Sequence, residues 1–75
     1  MPALLIVDDD PEVLYSMERS LRNASLSILA ASTARAGIAL VRERRPEAVV
    51  LGVRLPDMSG LDAVASIREV DRLLP

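Results

Sequence analysis

The sequence contains no cysteine, histidine, lysine, tryptophan or phenylalanine. Each absence removes a class of chemistry. Without cysteine there is neither a disulfide framework nor a thiolate metal site. Without histidine, imidazole acid–base catalysis, histidine metal ligation and phosphohistidine chemistry are excluded. Tyr15 is the single aromatic residue, so any core must be aliphatic. No apolar run reaches the roughly 18 residues of a membrane span, and no basic segment precedes the short apolar run near the N-terminus. Neither a span nor a secretory signal is indicated, and the cytoplasm is the expected compartment. All nine basic residues are arginine, against eleven acidic ones, for a net charge of −2. The one close basic cluster is Arg42, Arg44 and Arg45, a pattern that argues against direct nucleic-acid contact.

What remains is a chain of 75 residues, 51% hydrophobic. That is one small domain, near the lower limit at which a lone apolar core holds a chain folded. Ala3 to Val7, "ALLIV", is short and continuously apolar, as expected of a strand buried on both faces. Asp10 then stands before Pro11, an N-cap followed by proline at the first helical position, and Glu12 suits the positive end of the helix dipole. Val13, Leu14, Met17 and Leu21 recur at helical spacing, and that helix should end by Asn23 to Ser25. "LSILAA", Leu26 to Ala31, reads as a second strand. Ser32 or Thr33 caps a second helix to about Arg45, with Ile38 and Val41 on its inner face. Gly37 weakens this helix by about 1 kcal/mol relative to Ala, and Pro46 stops it.

Ala48 to Leu51 forms a third strand, followed by the loop "VRLPDM". Ser59 with Asp62 three positions on approximates a capping box, and Leu61, Val64 and Ile67 line the apolar side of a third helix. The order is βαβαβα with short connections, which predicts a parallel sheet with helices on its faces and right-handed crossovers. No internal repeat, linker or second domain is visible. Leu4, Ile6, Val49 and Leu51 are expected to be buried in the sheet, with Met17, Leu21, Ile38, Val64 and Ile67 packed against it.

In an open parallel sheet, ligands sit beyond the carboxyl ends of the strands. Asp8 and Asp9 fall at the end of the first strand and Gly52 at the end of the third. Two adjacent carboxylates repel each other unless a cation or proton intervenes, and Mg²⁺ suits one or two carboxylates with carbonyls and waters. A Mg²⁺ site and a solvated turn both fit Asp8 and Asp9, whereas Asp10 reads as the helix cap.

The two blocks "LLIVDDDPEVLYSMERSL" and "RPEAVVLGVRLPDMSGLDAVASIRE" together resemble the receiver domain of bacterial two-component response regulators. The resemblance runs in register along essentially the whole chain. It implies a flavodoxin-like, doubly wound α/β fold, of which residues 1–75 supply the first three βα units of five, a partial receiver domain. It also implies that Asp8 and Asp9 hold Mg²⁺, with the Arg54 backbone carbonyl as a further ligand, and that Leu55, Pro56 and Gly60 shape the loop. Directly after "VVL" the family carries the aspartate that takes phosphate from a phosphohistidine. Gly52 occupies that position here, with neither nucleophile nor carboxylate.

The expected role is therefore a receiver-like module of phosphorelay signalling and regulation of transcription that is not an enzyme and does not accept phosphate, with Mg²⁺ weak or vestigial. Its implied partner is a sensor histidine kinase or another signalling protein. Asp57, five residues past Gly52, reads as a turn residue bonding nearby backbone, too displaced to substitute as acceptor. Two alternatives stand beside this reading. One is an inactive fragment of a once competent receiver. The other is a haloacid-dehalogenase-type phosphatase, in which Asp8 would be the nucleophile of an Asp-x-Asp pair with Asp10. The third strand lacks a neighbour on its outer side, so self-association through that edge is also expected.

Overall fold

In the computed structural model, residues 2–22, 25–52 and 55–71 are described. Six elements alternate: β1 (Ala3–Val7), α1 (Pro11–Leu21), β2 (Ser27–Ala31), α2 (Ala34–Arg44), β3 (Ala48–Leu51) and α3 (Gly60–Val70). The three strands are parallel and ordered β2-β1-β3, so the first strand is the middle one. Leu5 pairs with Leu29 on one side and Val49 on the other, and Val7 with Ala31 and Leu51. The strand start expected at Leu26 lies one residue later, at Ser27.

The helix ends follow from local chemistry. The Asp10 carboxylate accepts the Glu12 N–H at 2.9 Å and Pro11 opens α1. Thr33, not Ser32, caps α2, its hydroxyl accepting the Ala36 N–H at 3.1 Å. Ser59 accepts the Asp62 N–H at 3.2 Å and opens α3. At the end of α2, Arg45 turns left-handed, with φ 48° and ψ 59°. Pro46 disfavours a right-handed residue before it, which closes the helix one residue earlier than the pattern alone indicates. The Arg45 guanidinium then donates to the Val70 carbonyl at 3.1 Å, tying the ends of α2 and α3 together.

Alternation along the strands sends Leu5 and Val7 to one face, where they form the core with Ala31, Val41 of α2 and Ile67 of α3. Ile6 is also buried, at 1% exposure, but points to the opposite face, where α1 packs against β1 and β2. No residue of α1 is fully buried.

The expected core needs correction at several positions. Leu4, Val49 and Leu51 are only half-buried, as are Met17 and Ile38. Leu21 is exposed, as are Val64 at 43% and Leu61 at 85%. For Leu51, Leu61 and Val64 the reason is positional: among the described residues β3 is paired on one side only, and these three line an open groove beside its end. Val50, on the other face of β3, is exposed as well.

Gly37 is buried in α2, where a Cβ would lie 2.7 Å from Cγ2 of Val7. The glycine therefore lets the helix approach the end of β1, and the helix penalty noted above is offset by close packing. Gly37→Ala should destabilise the chain by about 1–3 kcal/mol despite its gain in helix propensity, because a buried Val has little rotamer freedom to yield. Urea unfolding measures this. Adding Val7→Ala should make the alanine at position 37 better tolerated than it is beside Val7, as a double-mutant cycle would report.

Candidate functional site

The site lies where the hydrogen-bond ladders run one residue past the strands. Asp8 N–H donates to the Ala31 carbonyl at 3.1 Å, and Gly52 N–H donates to the Val7 carbonyl at 2.8 Å. These two bonds hold Asp8 and Gly52 side by side at the carboxyl end of the sheet. Asp8 is half-buried, and its Oδ1 accepts the Asp10 N–H at 3.0 Å. Asp9 is exposed on the same turn.

A Cβ on Gly52 would lie 3.2 Å from the Val7 carbonyl oxygen, 3.3 Å from Asp8 Oδ2 and 3.5 Å from Asp8 Cγ. One Asp8 oxygen thus serves the turn while the other leans over the bare glycine. The two ladders end together here, and Gly52 offers no side chain beside the Asp8 carboxylate. Beside Gly52, a groove of about 370 Å³ is lined by Leu51, Ser59, Gly60, Leu61 and Val64.

The donor set for a divalent cation is short. Among the described residues no group of three or more acidic, histidine or cysteine side chains is arranged to hold a metal ion. Asp8 and Asp9 remain as carboxylate donors, a number compatible with Mg²⁺ only when several waters complete its shell. The carbonyl of Arg54 lies outside the described residues.

Asp57 differs most from what the sequence suggests. It bonds backbone, and its principal partners are not near it in the chain. Its Oδ1 accepts the Ala34 N–H and its Oδ2 the Arg35 N–H, each at 2.9 Å, across 23 and 22 residues. The Arg35 guanidinium stands 4.0 Å from Oδ2. Sequence reasoning recognised Asp57 as a backbone-bonding residue and missed its partner, because nothing local in the chain pairs the third loop with the second helix. The Arg35 N–H is the main cause that holds the Asp57 carboxyl below its ordinary value of 3.8, opposed by desolvation and aided by the Ala34 and Asp57 N–H groups and the Arg35 charge.

Residues 4–75 match the family model described as the response regulator receiver domain. The chain is 40% identical over 72 residues to the probable transcriptional regulatory protein TcrX of Mycobacterium tuberculosis, covering 96% of this chain and 31% of that protein. It is 35% identical over 74 residues to the transcriptional regulatory protein PrrA of Mycobacterium bovis, covering 99% of this chain and 32% of that protein. The chain thus spans about a third of the length of these curated relatives. Among solved structures, the non-phosphorylated HemR receiver domain of Leptospira biflexa superposes with TM-score 0.89 at 29% identity, over 100% of this chain and 60% of that one. A CheY-like receiver domain from Methanospirillum hungatei superposes with TM-score 0.90 at 26% identity, over 96% of this chain and 58% of that one. The comparisons do not support the phosphatase alternative, and the geometry agrees. The second carboxylate of the Asp-x-Asp pair, Asp10, is engaged in capping α1.

The depressed titration of Asp57 has a definite sign. Its contribution to stability is fully present above the unfolded value of 3.8 and is lost as pH falls through the lower folded value. The difference in urea midpoint between the parent chain and Asp57→Asn should therefore be constant above about pH 5 and shrink under more acid conditions.

Proposed function

The chain belongs to the response regulator receiver domain family, and from that premise we propose that it is a receiver module that signals without accepting phosphate. A single observation carries this reading. The residue that follows β3, held by its N–H against the Val7 carbonyl beside Asp8, is Gly52. An acyl phosphate needs a carboxylate at this point, and glycine has none. Asp57 does not substitute, because both of its oxygens accept N–H groups from α2.

On this reading residues 1–75 are part of a receiver domain, and output passes through protein–protein contact. The partner is a sensor histidine kinase or another signalling protein, and the module serves transcriptional regulation as part of a longer regulator. Asp8, Asp9 and the Arg54 carbonyl form a vestigial Mg²⁺ site, weaker than a three-carboxylate site by one ligand charge. The chain itself catalyses no reaction. Among the described residues no helix is long and apolar enough to cross a membrane, and the cytoplasm is the proposed compartment. The outer edge of β3 is a four-residue apolar strand, Ala48–Leu51, with no charged residue to guard it, which supports self-association there.

Incubation with acetyl phosphate and Mg²⁺ should leave the intact mass unchanged, and a phosphoryl adduct mapped to any residue would overturn the proposal. Mg²⁺ titration followed by NMR should move the Asp8 and Asp9 amides with weak affinity. Submicromolar binding, or shifts centred elsewhere, would count against the site. Unfolding followed at several protein concentrations should show a midpoint that rises with concentration if β3 edges pair. A cooperative, concentration-independent transition with stability above about 5 kcal/mol would dismiss that part.

A further inference from the structure

The first N–H groups of an α-helix have no partner within the helix. In α2 the helix's own bonding begins with Gly37 N–H on the Thr33 carbonyl at 3.1 Å. Ahead of it, Ala36 is served by the Thr33 hydroxyl, whereas Ala34 and Arg35 are served by Asp57. Among the described residues the other two helices take their caps from the residue just before them, Asp10 for α1 and Ser59 for α3. α2 has such a local cap in Thr33 and adds a second one from 22–23 residues further along the chain.

The position of that second cap gives it a mechanical consequence. Asp57 lies between the end of β3 and Ser59 at the start of α3, so its carboxylate ties residues 55–59 to the start of α2. We propose that Asp57 is a latch that joins residues 55–59 and the first turn of α2 into one moving unit, so that a partner engaging either displaces the other. A one-oxygen contact would leave the loop free to pivot. Two oxygens on adjacent N–H groups, each at 2.9 Å, fix its orientation as well as its distance.

The Arg35 side chain adds little. It is 82% exposed and only at 4.0 Å, so the hold rests on backbone N–H groups and not on the ion pair. Arg35 is also the charged side chain that faces Asp57 among the described residues. Behind the latch, Gly37 lets α2 close onto Val7, the residue before Asp8. The latched unit therefore abuts the end of β1, and the inference holds whether or not the chain ever meets phosphate.

Amide exchange and ¹⁵N relaxation on the parent chain and on Asp57→Asn, Asp57→Ala and Thr33→Ala decide it. In both Asp57 variants the Ala34 and Arg35 amides should exchange at least about tenfold faster. Residues 55–59 should at the same time fall from order parameters near 0.85 to below about 0.6, while Leu5, Val7 and Val41 keep their protection. Thr33→Ala should loosen Ala36 and leave residues 55–59 ordered. Faster exchange at Ala34 and Arg35 with an unchanged loop would reduce Asp57 to a simple cap and overturn the latch. Equal loosening of the loop by Thr33→Ala would overturn it as well. Should the variants fail to fold, acid titration of the parent chain decides. Amide shifts of Ala34, Arg35 and Met58 moving with one midpoint support the latch, and separate midpoints or no movement refute it.

Discussion

β1 is hydrogen-bonded on both flanks, and the rest of the molecule depends on that central placement. A parallel strand between two others has its peptide groups paired on both sides and its side chains available to two layers. Leu5, Ile6 and Val7 are each at most 1% exposed, although they point alternately to opposite faces. The last bonds of each ladder then reach one residue past the strands, to Asp8 and Gly52, and set the two beside each other. The geometry of the site is thus a by-product of sheet pairing.

The surroundings of Gly52 therefore do not rely on a side chain at that position. Gly52 N–H still donates to Val7, Asp8 still bonds Asp10 N–H, and Asp10 still caps α1. Each of these contacts uses backbone or a neighbouring carboxylate, and none uses a side chain at position 52. With glycine at position 52 the Asp8 carboxylate leans close to where a Cβ would stand, as the short distances to that point show. The frame and the chemistry are separable.

How much of this the chain reveals before folding depends on the range of the interaction. Asp10 with Pro11, Ser59 with Asp62, and the apolar run Ala48–Leu51 are local patterns, and the elements follow them within a residue or two. The parallel order and the pairing of Asp8 with Gly52 follow from βαβ handedness and from where the strands stop. Burial was less legible. Helical spacing marks Leu61 and Val64 as a stripe, but periodicity cannot say whether anything lies beneath it, and both are exposed. The carboxylate of Asp57 and the missing side chain of Gly37 were illegible for a different reason. Their partners are distant in sequence, so their roles exist only once the second helix is docked.

The near contact between Gly37 and Val7 also constrains how the chain can vary. The two positions share one small volume between a helix and a strand, and the sum of their side chains is what the packing limits. A change at one is tolerated according to what stands at the other. Across related chains, residue size at positions 37 and 7 should be inversely correlated, with a bulkier residue in the helix accompanied by a slimmer one in the strand. Covariation of this kind would trace to steric exclusion alone, with no signalling role for either residue.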